Sequence, residues 1–139
     1  MALSRMPEWL RWLLVVPSAV VAFALIQLVI ILAGLLSGRW IPDWAYQLIN
    51  SFASGWAFVA AAALMAPQAN VVVAIVHTVI ISVFTGALGG FALFDPSLAQ
   101  RTSGTSSGFF LLAATLTVLG GVYACMQTYN EHKEAPLHR

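Results

Sequence analysis

Charged residues are the scarcest chemical class in this sequence. Its 139 residues include six lysines and arginines and five aspartates and glutamates, which is 8% of the chain. A typical soluble domain has about 25% charged residues, because a folded surface in water has to be polar. Hydrophobic residues make up 60% of the chain. The composition therefore excludes a soluble globular domain or a disordered chain and predicts an integral membrane protein.

Several other absences narrow the function. The single cysteine, Cys125, cannot form a disulfide within the chain, which excludes a disulfide-knit secreted module. A net charge of +1 argues against nucleic acid as a partner. No carboxylate lies inside a long apolar run, so the residue type that couples proton or cation transport is missing there. Motifs for zinc hydrolysis, serine hydrolysis and phosphate binding are also absent. We therefore expect a protein that is not an enzyme.

Three charge-free intervals, 12–38, 44–94 and 102–130, define the predicted spans. A membrane-spanning helix needs about 20 apolar residues, so the first and third intervals each fit one span. As one helix, the middle interval would be about 76 Å long, whereas the hydrocarbon core of a bilayer is about 30 Å thick. It must fold back at Pro67, because proline cannot continue the helix, and Asn70 can cap the next one. We predict four transmembrane helices, at about 13–36, 46–66, 71–94 and 108–129.

The predicted fold class is an all-α integral membrane protein, an antiparallel up-and-down bundle in which residues 1–139 form one transmembrane domain with no soluble domain. The apolar runs are continuous, whereas the strands of a membrane barrel alternate, so helices are favoured. Four spans place both termini on one side. That side has four basic residues and the other has two: Arg5, Arg11, Lys133 and Arg139 against Arg39 and Arg101. The positive-inside rule predicts cytoplasmic termini in a bacterial inner membrane, with dual topology left open.

Small residues recur at helical spacing in the last two predicted spans. The third span has a tandem motif with three residues between small ones: Ser82, Gly86 and Gly90. The fourth span has a nearly continuous small-residue groove: Ala113, Thr117, Gly120, Gly121, Ala124 and Thr128. Small residues let membrane helices approach closely. Two interpretations follow, namely packing of the third span on the fourth within one chain, or a subunit interface.

Uncharged polar residues are predicted to form a layer in the outer half of the membrane. The members of this polar layer are Gln27, Asn50, Ser51, Ser54, Thr85 and Thr115. Interhelical hydrogen bonds between such groups contribute about 0.6–2 kcal/mol each. We expect the Gln27 amide to bond Asn50 or Ser54. The layer is interpreted either as a set of structural hydrogen bonds that hold the helices together or as the lining of a polar pocket or pore.

His77 is the ionisable side chain that lies deepest in a predicted span. An ionisable group within a membrane is a functional hypothesis by default. At 100° per residue, Gly86 lies on the opposite side of the helix, so we expect His77 to project away from the small-residue motif among bulky apolar groups. The alternatives are a structural histidine with a satisfied nitrogen, an axial ligand to a haem or chlorophyll metal, or a proton carrier.

Three functional hypotheses follow from these patterns. The first is a small non-enzymatic subunit that packs through its small-residue faces into a larger membrane complex or homo-oligomer. Its partners would be membrane lipid, other membrane subunits or copies of itself, with no cofactor beyond lipid. The second is a homo-oligomeric pore or effector channel lined by the polar layer. The third is a haem- or chlorophyll-associated accessory subunit that uses His77 as a ligand.

Overall fold

The computed structural model describes residues 7–36, 42–66, 70–95, 97 and 106–134. Its helices are, in chain order, α1 (Glu8–Leu36), α2 (Asp43–Met65), α3 (Asn70–Phe94) and α4 (Ser107–Glu134). Each of the four is long and apolar enough to cross a membrane, by length and composition. The prediction of an all-helical chain with four such helices is therefore confirmed. The predicted break at Pro67 lies outside the described residues, with α2 ending before it and α3 beginning after it.

The helix boundaries differ from prediction mainly at the two ends of the chain. Helix α1 begins at Glu8 rather than at about residue 13, and α4 continues to Glu134 rather than ending at about residue 129. Charge-free intervals mark the length that suits hydrocarbon, whereas a helix can continue into the polar interface with its backbone bonds intact. Of the six basic residues that predict orientation, only Arg11 and Lys133 lie within the described residues.

Helices that follow one another in the chain run antiparallel, and α2 runs parallel to α4. The contacts that fix these directions join Arg11 to Ala66, Gly89 to Leu111, Thr78 to Gly121, Phe52 to Gly120 and Trp56 to Gln127. We name the two ends of the assembly after α2. The Asp43 end is where α2 and α4 begin, and the Ala66 end is where α1 and α3 begin.

Helix α2 is the central element of the structure. It packs against α1, α3 and α4, and α4 also packs against α3. Helix α1 has extensive contacts with α2 but, among the described residues, none of that extent with α3 or α4, and it approaches α3 through the buried cluster that contains Val15 and Val73. A shallow space between α1 and α3 therefore remains open along one side of α2.

The closest approach between helices brings the backbone of α2 against the backbone of α4. A Cβ atom on Gly55 would lie 1.9 Å from the carbonyl oxygen of Thr117, and one on Gly120 would lie 2.0 Å from that of Phe52. Only a hydrogen atom fits at either position. The predicted groove of α4 therefore faces α2 at Thr117 and Gly120, where the sequence interpretation had α3 as the intrachain partner, and Gly55 is a contact that this interpretation missed.

The other end of the α4 groove lies between α2 and α3. A Cβ atom on Gly121 would lie 3.3 Å from a methyl carbon of Val59 in α2 and 3.4 Å from one of Ile81 in α3. Ala124 is 1% exposed and belongs to a buried cluster with Val59. Small residues thus hold α4 close to both neighbours.

The prediction that Gly86 and Gly90 pack α3 against α4 within the chain is wrong. A Cβ atom on either glycine would meet no described atom within 4 Å, and the Ser82 hydroxyl bonds the Thr78 carbonyl of its own helix. The buried residues of α3 are instead Val73, Ala74, His77, Ile81, Gly89 and Ala92. Helix α3 is apolar all round, so hydrophobicity does not fix its rotation, and the fit against α2 and α4 decides it.

Candidate functional site

Three polar side chains from α1 and α2 form a closed hydrogen-bonded cluster. The Gln27 Nε2 atom donates to Ser54 Oγ at 3.2 Å, Asn50 Nδ2 donates to Gln27 Oε1, and Ser54 Oγ donates to Asn50 Oδ1 at 3.4 Å. We call these three residues the polar cluster. Each donates one hydrogen bond to another and accepts one in return.

The polar cluster lies deep along the helices. Asn50 and Ser54 are one turn apart and share a face of α2, about 10 and 16 Å from its first residue at 1.5 Å per residue. Gln27 lies about 13 Å before the end of α1 on the same scale. Ser54 is 2% exposed. In hydrocarbon an unpaired polar group costs several kcal/mol, so this closed arrangement is what such a depth requires.

The remaining residues of the predicted polar layer bond within their own helices. The hydroxyls of Ser51, Thr85 and Thr115 each donate to the carbonyl four residues earlier, at 2.6 to 2.9 Å. Thr115 is exposed, whereas Ser51 and Thr85 are half-buried. A hydroxyl that bonds its own backbone is satisfied without a partner helix. The structure therefore brings together Gln27, Asn50 and Ser54, and leaves these three outside the cluster.

A groove of about 380 Å³ lies over the polar cluster, between α1 and α3. It exists because those two helices, which share the buried cluster of Val15 and Val73, do not pack closely along their whole length. Its lining is uncharged and mostly apolar, with polar groups on one side: Val20, Phe23, Gln27, Asn50, Ser51, Ser54, Phe58, Ile80, Ile81, Phe84, Thr85, Leu88 and Thr117. We call this space the α1–α3 groove. It offers an apolar ligand a small number of hydrogen-bonding groups.

A second crevice leads from the Asp43 end toward the polar cluster. It has a volume of about 420 Å³ and lies between the ends of α1 and α2 that meet there. Its polar lining comes from α2, from Asp43, Tyr46, Gln47 and Asn50. Asn50 lines both this crevice and the α1–α3 groove. The polar cluster therefore borders the groove with all three of its residues and the crevice with Asn50.

His77 lies in the packed interior, so the face of α3 that packs within the chain is that of His77 and not that of Gly86, with which the sequence interpretation had identified it. It is 6% exposed, and its ring centroid is 5.5 Å from that of Phe58 in α2. Its Nδ1 atom is 2.9 Å from the carbonyl oxygen of Val73, so a proton on Nδ1 is donated to the preceding turn. This enclosure leaves no open face for a macrocycle in the single chain, and favours a structural histidine.

Arg11 is a half-buried charged residue that sequence reasoning used only for orientation. Its Nη2 atom donates to the Ala66 carbonyl at 3.3 Å, which satisfies one of the free carbonyls at the end of α2. The Nε atom of Arg11 is buried and has no hydrogen-bond partner within the part of the chain that the structure describes. The sequence does contain a signal for this contact: Arg11 lies beside the beginning of one predicted apolar helix, and the next helix in the chain is predicted to end at the same side of the membrane.

Neither a metal site nor similarity to a known protein indicates the function of this chain. Within the part of the chain that the structure describes, no group of three or more His, Cys, Asp or Glu residues could hold a metal ion. Comparison with protein-family models, with curated proteins and with solved structures finds no match. The function has to be argued from the geometry of this chain.

Proposed function

We propose that this chain is a small non-enzymatic integral membrane subunit that assembles through an outward-facing glycine motif on α3. The observation that carries the proposal is the empty space at Gly86 and Gly90. These glycines are four residues apart on one helix face, and a Cβ atom on either would meet nothing within 4 Å. Glycines with this spacing let a second helix approach backbone to backbone. Its partners are copies of the chain or other membrane subunits.

The surroundings of the two glycines support an interface at this face. Val83 and Ala87 are exposed beside Gly86, so the face is small and apolar over about two turns. Within the chain, the contacts between α2 and α4 show how closely glycine lets helices approach. The outward face of α3 offers a second copy the same kind of contact.

Measurement of particle mass tests the assembly. We expect the wild-type protein in mild detergent to have a protein mass above the 14.9 kDa of one chain. Gly86→Ile should lower that mass to one chain, or release the chain from its complex, while the chain stays folded, because a Cβ atom at this position meets no described atom within 4 Å.

Gly108→Ile is the matched control for this experiment. A Cβ atom on Gly108 also meets no described atom within 4 Å, but this glycine belongs to α4 and is not part of the α3 motif. It should leave the mass unchanged. A wild-type protein that is a single chain both in detergent and in native membranes would contradict the proposal.

The location proposed for this subunit is a bacterial inner membrane, with both termini in the cytoplasm. Support comes from the basic residues at the two termini, set against fewer basic residues in the predicted outer loops. Attachment of a membrane-impermeant thiol reagent to single cysteines introduced at Ser4 and at Ser103 tests the orientation. The Ser103 cysteine should react in cells with an intact inner membrane, and the Ser4 cysteine only after lysis.

A homo-oligomeric pore is the second candidate function, favoured by the crevice at the Asp43 end. Polar side chains of α2 line this crevice as far inward as Asn50. Beyond Ser54, the same face of α2 continues with the apolar residues Phe58 and Ala62. Several chains would have to surround a shared path for solute to cross. Flux of ions and small solutes from liposomes tests it, and the absence of flux at every voltage applied would remove this candidate.

A further inference from the structure

The polar cluster does not use all of its donors. A primary amide has two N–H groups. The Gln27 amide donates one hydrogen bond, to Ser54, and the Asn50 amide donates one, to Gln27. Each amide thus retains one N–H without an acceptor among the described residues, and both residues line the α1–α3 groove. In an apolar medium an unmade hydrogen bond of this kind costs free energy, so the groove favours an occupant that accepts hydrogen bonds.

The shape and lining of the groove restrict what this occupant is. Its volume of about 380 Å³ lies in the range of small-molecule sites, whereas a membrane helix is about 10–12 Å across and would not enter it. Phe23, Phe58 and Phe84 come from three different helices to line it, and aromatic rings pack favourably against another ring. No charged residue lines it. The groove therefore suits an uncharged ring compound.

We propose that the α1–α3 groove binds a lipid-soluble ring compound with a carbonyl acceptor, of the quinone class. The carbonyl oxygen accepts a hydrogen bond from the free N–H of Gln27 or Asn50, and the ring lies among the three phenylalanines. The side opening of the groove, between α1 and α3, lets such a molecule enter from the lipid. This inference rests on α1, α2 and α3 of a single chain and does not depend on assembly through Gly86.

Duroquinone and durene provide a matched pair of probes. Both are planar six-membered carbon rings with methyl groups at the same four positions, and only duroquinone, a cyclohexadienedione, has carbonyl oxygens. Its ring is fully substituted, which limits addition of the Cys125 thiol. Binding is measured on the full chain in detergent micelles by NMR of the side-chain amide groups. We expect duroquinone to shift the Gln27 and Asn50 amide signals saturably and to bind about tenfold more tightly than durene, as one or two hydrogen bonds require.

Different variants test the hydrogen bond to the probe and the space that the probe occupies in the groove. Gln27→Leu should remove most of the preference for duroquinone over durene. Thr115→Val, on the exposed side of α4 outside the groove, should leave that preference unchanged. If Gln27→Leu does not fold, Leu88→Trp keeps the polar cluster and fills the groove, and should abolish binding of both probes. Equal affinity of the wild-type protein for the two probes, or shifts that do not saturate, would overturn the proposal.

Discussion

The contact between α2 and α4 makes the sharpest prediction about stability. An added methyl group at Gly55 would lie 1.9 Å from the Thr117 carbonyl oxygen, a backbone atom that no side-chain rotation can move away. The two helices would have to separate by about 1.5 Å to restore ordinary van der Waals distances. A gap of that size forfeits more than half of the dispersion energy of the contacts around it. We expect Gly55→Ala to lower the free energy of unfolding by about 3 kcal/mol, the upper part of the range for overpacking.

Gly86→Ala is the matched control for this prediction, measured at protein concentrations at which the assembly proposed for Gly86 is dissociated. It makes the same chemical change in the interior of a helix, where the methyl group meets nothing within 4 Å. Any gain in helix propensity from alanine, up to about 1 kcal/mol in water, applies to both variants and cancels in the comparison. The assay is reversible unfolding of the detergent-solubilised protein by sodium dodecyl sulfate, followed by loss of helical circular dichroism.

A graded series at the other glycines refines the test. Gly120→Ala should be as damaging as Gly55→Ala, because its Cβ atom would lie 2.0 Å from the Phe52 carbonyl oxygen. Gly121→Ala should be milder, because its nearest neighbours are side-chain methyl groups at 3.3 and 3.4 Å, which can shift slightly. If Gly55→Ala and Gly86→Ala were equally stable, α2 and α4 would not meet through their backbones, and the reasoning would be refuted.

Other substitutions test the remaining polar groups by the same unfolding assay. Gln27→Leu and Ser54→Ala should each cost about 0.6–2 kcal/mol, and the double variant should cost less than their sum; strict additivity would show that the two residues do not interact. His77→Ala should cost about 2–4 kcal/mol through the cavity it leaves, and an unchanged midpoint would place the ring outside the packed interior. Arg11→Met should change stability by less than about 1 kcal/mol, because losing the bond to Ala66 is offset by removing a buried, unpartnered Nε; a large loss would show that Nε has a partner.

The small-residue pattern correctly indicated close packing between helices, but within the chain this packing does not occur on the face of α3 that the pattern marked. One of the two interpretations of the small residues had those of α3 and α4 facing each other, yet Gly86 and Gly90 face outward and Gly120 faces α2. In a soluble helix the polar face would have fixed the rotation. A helix that is apolar all round has no such face, so only the detailed fit of side chains against neighbouring helices decides which stripe is buried.

The sequence by itself determined the number of helices and the partners within the polar cluster. Scarce charge and three charge-free intervals require apolar helices of spanning length, because backbone groups in hydrocarbon must be satisfied within the helix. Gln27 was expected to meet Asn50 or Ser54 because amides and hydroxyls at similar depth on neighbouring helices have few other partners, and the structure joins it to both. Only the tertiary structure decided that Gly55 is the closest neighbour of α4, that His77 is enclosed, and that α1 and α3 leave a groove between them. These features depend on distances of a few ångströms between helices, and one-dimensional spacing does not contain them.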